Sequence, residues 1–209
     1  SKSIGQERLR AEDLPGQAEA ADSRKTVGPL VELWLRPPNT PGRATGHMRL
    51  RIDDVVYERV PDLSAHAGRA RRRQEVLSVL YRRPLEGLAR RVDATTAARD
   101  VPYARWRLDL TEGQTAIVLQ ILDSGFGVGE SQTSDDHFDW FCDNCTTWLS
   151  QPLALVLRQG GGDKATRRLA RVLARECLIP TALYQALQSW DRRNRDQSVL
   201  IRLPPPVTP

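Results

Sequence analysis

The stretch HMRLRIDDVVYERV, residues 47–60, constrains the fold more than any other. Met48, Leu50 and Ile52 alternate with Arg49 and Arg51, the period of a strand with one face in a core and the other in water. A second short apolar run, VVYERV, follows across Asp53-Asp54, a pair suited to a tight turn. The two runs predict a β-hairpin whose apolar face needs a second layer to cover it.

The flanking sequence supplies candidates for that layer. Val27–Arg36 (VGPLVELWLR) reads as a strand closed by Pro37-Pro38, and PPNTPGRATG as loop. Tyr103–Leu110 alternates again and predicts a strand. Thr111 then caps a helix whose Ile117, Val118, Ile121 and Leu122 share one face. Residues 123–136, rich in Gly, Ser and Asp, read as a loop. Asp163 caps a helix with Leu169, Val172, Leu173 and Cys177 on one side. Pro180 opens another, carrying Leu183, Ala186, Leu187 and Trp190, and Ser198–Leu203 reads as a late strand. Between residues 61 and 100 the pattern predicts two short helical pieces, Gln74–Tyr81 and Leu85–Val92, broken at Pro84. The sum is an α+β domain with an antiparallel sheet and a C-terminal helical elaboration. At 209 residues the chain suits one domain over 29–203, with a core at about 30–158 and a helical extension at 163–190. Residues 1–28 read as a loose leader with a short helix at 6–12, and 204–209 as a Pro-rich tail.

Composition narrows the partners. No run of 18 apolar residues exists, so no transmembrane segment is expected, and the first residues lack the apolar core of a signal peptide. All but three of the 31 basic residues are arginine, a compositional bias that is not read as a nucleic-acid signal. Eight arginines lie between Arg69 and Arg91; they read as a solvated helical face, or as a patch for phosphates or another anionic partner. Three cysteines, Cys142, Cys145 and Cys177, allow no disulfide framework.

Chemistry concentrates around Cys145. Asp143-Asn144 are capping residues and TTWLSQ continues into an apolar run, so Cys145 falls at a helix N-terminus. There the unpaired N–H groups and the helix dipole favour a thiolate, although a lone cysteine is as readily a buried core residue. A thiolate nucleophile needs a base, and the chain offers His47, His66 and His137. His47 opens the alternating strand, and Glu58, eleven residues on, lies roughly opposite it across the hairpin. A carboxylate beside the imidazole Nδ1 orients the ring and supports its cationic form. The aromatic residues Phe138, Trp140, Phe141 and Trp148 flank the cysteine as core or substrate-cleft lining; Trp34 and Trp106 lie in other elements. A zinc reading joins His137, Cys142 and Cys145, but the second half-site is missing and the H-x-E and P-C-x-x-C pattern of a nucleobase deaminase is absent. A Cys142–Cys145 redox pair lacks the preceding thioredoxin-type strand. No metal or cofactor is expected.

GHMRLRIDDVVYE followed by DNCTTW resembles the circularly permuted papain-like thiol hydrolases and acyltransferases. That superfamily includes lecithin–retinol acyltransferase-like proteins, permuted NlpC-type amidases, and a periplasmic domain family with an Asn-Cys-Thr-Thr block. The likeness covers roughly residues 30–158, and WRLDLTEGQTAIVLQIL is similar to the strand and helix that often precede the cysteine block. The resemblance implies a permuted papain-like fold, with an antiparallel sheet packed on the nucleophile-bearing helix. It makes Cys145 the nucleophile, His47 the general base, Glu58 the third polar residue and Asn144 the residue before the nucleophile. The chain departs from the pattern at Met48, Arg49 and Asp53-Asp54, where small residues are common, and Glu58 matches across a one-residue gap.

The expected activity is cysteine-dependent hydrolysis of an amide bond in a peptide or peptidoglycan stem, with the Cys145 backbone N–H in the oxyanion hole. The alternatives are a lipid or thioester acyltransferase or thioesterase on the same fold, and a non-catalytic module that binds an anionic partner through Arg69–Arg91. A bacterial periplasmic or secreted setting goes with the amidase reading.

Overall fold

The computed structural model describes residues 28–36, 46–65, 68–81, 85–98, 104–140, 144–175, 178–193 and 199–204. Most of the leader, the 37–45 loop, His66, Phe141, Cys142, Cys177 and the last residues of the tail lie outside them, as do the side chains of Arg72 and His137.

The predicted hairpin is present as β2 (His47–Ile52) and β3 (Val55–Pro61), joined at Asp53-Asp54. Asp53 takes a left-handed φ of 51°. Its carboxylate accepts the Leu30 N–H at 2.9 Å, which ties the turn to the start of β1 (Val31–Arg36). Around this hairpin stands a seven-stranded sheet, completed by β4 (Leu85–Asp93), β5 (Ala104–Leu108), β6 (Gln132–Phe138) and β7 (Leu200–Arg202). Its order is β6-β4-β3-β2-β1-β5-β7, and every neighbouring pair is antiparallel.

Alternation sorts the strands onto two faces. Val31, Leu33 and Leu35 of β1, Met48, Leu50 and Ile52 of β2, and Trp106 and Leu108 of β5 enter the main core. The helices α3 (Glu112–Asp123), α4 (Cys145–Gln159), α5 (Lys164–Leu173) and α6 (Pro180–Arg193) cover that face. Thr111 caps α3 through a reciprocal capping box with Gln114, and Asp163 caps α5 by accepting the Thr166 N–H. On the opposite face a smaller cluster joins Trp34 and Val56 to Ala94 and Ala97 of α2 (Ala94–Ala98). A further helix, α1 (Gly68–Leu80), precedes β4. No described helix is long and apolar enough to cross a membrane.

Two expectations change. Leu85–Val92 is strand, not helix: β4 pairs with β3 from Val55↔Asp93 to Pro61↔Gly87 and with β6 on its other side. Ladder bonds on both edges outweigh the helix propensity of Leu, Glu, Ala and Arg. The expected loop 123–136 ends in an edge strand, β6, whose polar sequence QTSDDHF carries no apolar alternation, as suits an unpaired edge. The C-terminal helices α5 and α6 pack onto the sheet: Leu169, Leu173, Leu183 and Leu187 are buried in the same cluster as the strands and α4.

Candidate active site

Cys145 is the first residue of α4, and Asn144 is its N-cap in extended conformation. The Asn144 side-chain oxygen accepts the N–H groups of Thr146 at 2.8 Å and Thr147 at 3.3 Å, while the Thr147 hydroxyl accepts the Asn144 N–H at 3.0 Å. The Asn144 amide nitrogen also donates to the Trp140 carbonyl at 3.1 Å, and the Trp140 indole donates to the Ser78 hydroxyl of α1 at 2.8 Å. Trp140 and Asn144 are therefore tied to each other, to α1 and to the start of α4. The first N–H groups of a helix have no intrahelical acceptor, so the backbone around Cys145 presents a positive field to the sulfur.

His47 is the first residue of β2, so the imidazole and the thiol meet at the ends of their elements. Its Nε2 lies 3.4 Å from Oε2 of Glu58. The register corrects the expectation that His47 and Glu58 are opposite: Arg49 faces Glu58 directly, and His47 lies two residues along the same face. The carboxylate meets Nε2 rather than the expected Nδ1. Arg49 Nε donates to the same Oε2 at 2.7 Å, and its terminal nitrogen donates to the Ala97 carbonyl at 3.1 Å. Arg49 is thus buried under α2 and paired, where strand alternation alone puts it in water.

Cys145, His47 and Glu58 are each only 5% exposed. Burial raises the Cys145 thiol, but the His47 charge and hydrogen bond, the Met48 N–H and the Thr146 hydroxyl reverse this and hold its pKa below the ordinary thiol value. Burial alone lowers His47; the Cys145 thiolate and then Glu58 reverse that, so its pKa lies above the ordinary imidazole value. For Glu58 burial acts upward, and the His47 hydrogen bond and Arg49 overcome it, leaving the carboxyl at about 2. These directions agree with one another: each of the three groups favours the charged form of its neighbour.

The three residues line one cavity of about 520 Å³, whose wall also includes Asn144, Phe138 and Trp140. Phe138 and Trp140 pack edge to face with ring centroids 5.2 Å apart. Trp148, expected in the cleft, does not line this cavity; it is partly buried and packs against the main core from α4. Phe141 lies outside the described residues. What sequence reasoning missed is that Arg36, Arg49 and Arg59 line this cavity together with Arg71 and Arg90 of the 69–91 stretch. The signal was present as arginines at strand positions, but alternation labels such positions solvent-exposed.

The arginine stretch 69–91 does not form one continuous helical face. It divides between α1 and β4; Arg71 and Arg90 line the cleft, while Arg91 pairs with Asp123 at 3.3 Å and stacks on Phe126. Among the described residues no group of three or more His, Cys, Asp or Glu is placed to hold a metal; Cys142 of the zinc and redox readings lies outside them. Set against family models, curated proteins and solved structures, the chain matches none.

Proposed function

We propose that this chain is a cysteine-dependent hydrolase of permuted papain-like type, cleaving an amide bond in a peptide or peptidoglycan stem. One observation carries the reading. A thiol at a capped helix start, with its pKa held down, faces an imidazole with its pKa held up, and a buried carboxylate backs that imidazole, all in the wall of one cleft. The strand-borne histidine precedes the helix-borne cysteine in the chain, the order the resemblance implies.

In the resting site His47 holds the proton that Cys145 has given up. The Cys145 sulfur attacks the substrate carbonyl carbon, and the carbonyl π electrons move onto oxygen, where the Cys145 backbone N–H receives the negative charge. As the tetrahedral species collapses, the C–N bond breaks and His47 donates its proton to the departing amine. A thioester remains on Cys145. Neutral His47 then takes a proton from water, whose oxygen attacks the thioester carbonyl. The C–S bond breaks, the carboxylic acid leaves, and the thiolate–imidazolium pair is restored. Glu58 keeps Nε2 oriented throughout and favours the cationic ring.

The test is the pH dependence of iodoacetamide alkylation at Cys145, read by peptide mass spectrometry in wild type and His47→Ala. Reaction at pH 6, well below the ~8.5 of a free thiol, with loss of that reactivity in His47→Ala, is the expected result. An ordinary thiol profile in both proteins overturns the reading. Cys145→Ala is then expected to lower turnover of a peptide-amide panel on the order of 10⁶-fold while the circular dichroism of the fold persists.

A further inference from the structure

Resting on that reading of Cys145, we propose that the cleft takes acyl substrates carrying an oxyanion, a carboxylate or a phosphate, held beside the scissile carbonyl by Arg71 and Arg90. Five arginines but only three carboxylates, Glu58, Asp62 and Glu75, stand among its described lining residues. They arrive from five separate elements: Arg36 ends β1, Arg49 lies in β2, Arg59 in β3, Arg71 in α1 and Arg90 in β4. Convergence of this kind is a property of the tertiary fold rather than of a basic run in the sequence.

Two of the three carboxylates are engaged. Glu58 is held by Arg49 and His47, and Asp62 accepts the Ser64 N–H at 2.9 Å. Arg90 reaches Glu58 only at 4.0 Å and acts on Asp62 through its charge; its side chain is 43% exposed, and its buried Nε–H meets no hydrogen-bond acceptor. A guanidinium offers planar, forked donors that match the oxygens of a carboxylate or phosphate. In a narrow cleft with protein walls such a cationic lining draws anions in and orients them. Beside the nucleophile, an anchored anion fixes where the scissile carbonyl sits, so the arginines act as specificity determinants and not as catalytic residues.

The test compares two alkylating agents of similar size at Cys145, anionic iodoacetate and neutral iodoacetamide, against a small free thiol in the same buffer. The expected iodoacetate-to-iodoacetamide rate ratio in wild type exceeds that of the free thiol by roughly tenfold, and falls at least about threefold in Arg71→Gln and in Arg90→Gln. Raising salt from about 0.01 M to about 1 M, which shortens the Debye length from ~30 to ~3 Å, is expected to remove the excess in wild type; this measurement requires no variant to fold. Protection of Cys145 from iodoacetamide by acetate or by inorganic phosphate then distinguishes a carboxylate-bearing from a phosphate-bearing substrate. If Cys145 reacts with both agents at the free-thiol ratio, unmoved by salt or by either substitution, the anion subsite is refuted while the reactive cysteine stands. If neither agent modifies Cys145, the cysteine reading falls and this inference falls with it.

Discussion

Glu58 reaches His47 diagonally across the hairpin, its Oε2 standing 3.4 Å from Nε2, because the place directly opposite it belongs to Arg49. One carboxylate oxygen therefore meets both side chains, and Arg49 at 2.7 Å is the nearer. The arginine fixes the carboxylate, and the carboxylate orients the imidazole.

Substituting Glu58→Gln keeps the shape but removes the charge. Cys145 alkylation at pH 6 is expected to slow about 10- to 100-fold, since a hydrogen bond to a charged group is worth ~1.5–3 kcal/mol. Glu58→Ala also removes the carboxylate paired with the buried Arg49, and urea unfolding should report a loss of about 3–5 kcal/mol. Unchanged reactivity in Glu58→Gln would remove Glu58 from the site's chemistry.

Acid stability follows from the same residue. The Glu58 carboxyl lies at about 2 in the folded chain against its ordinary 4.5, a depressed value. A depressed carboxyl stabilises the fold fully above its unfolded pKa and loses that contribution as pH falls towards the folded one. Wild type is expected to lose stability between pH 4.5 and about 2 more steeply than Glu58→Gln, as followed by denaturant midpoints across that range.

Asn144 accepts two N–H groups at the start of α4 and donates to Trp140. Asn144→Ala is expected to cost about 1–2 kcal/mol, the upper part of the N-cap range because the site is buried. Asn144→Asp, which keeps the accepting oxygen, should recover most of the thermal midpoint. Equal midpoints for the alanine variant and wild type would count against the cap.

Trp140, whose carbonyl accepts the Asn144 side-chain N–H, is tied to α1 through its indole N–H and Ser78. Trp140→Phe retains the ring contact with Phe138 but not the donor, and an expected loss of ~1 kcal/mol should surface as faster amide exchange within α1. Exchange in α1 that matches wild type would show the bridge to be dispensable.

Much of this site was legible before any coordinates. Alternation in HMRLRI and the Asp53-Asp54 turn specified the hairpin, and with it the neighbourhood of His47 and Glu58. Capping chemistry at Thr111, Asn144 and Asp163 specified three helix starts, since a cap is a local bargain between one side chain and the next turn of backbone.

Other features depended on partners distant in sequence. Leu85–Asp93 is a strand because β3 and β6 take its backbone on both edges. Arg49 is buried because α2 covers its face and Glu58 lies across the ladder. The cationic cleft exists only where five elements meet. The sequence by itself determined the period-two hairpin and the helix caps, and it brought Cys145 and His47 forward as the candidate nucleophile and base. Only the tertiary structure decided which nitrogen of His47 meets Glu58, which arginines line the cleft, and which of the flanking aromatics face it. Local periodicity records which side of an element is apolar; it carries no record of what packs on the other side.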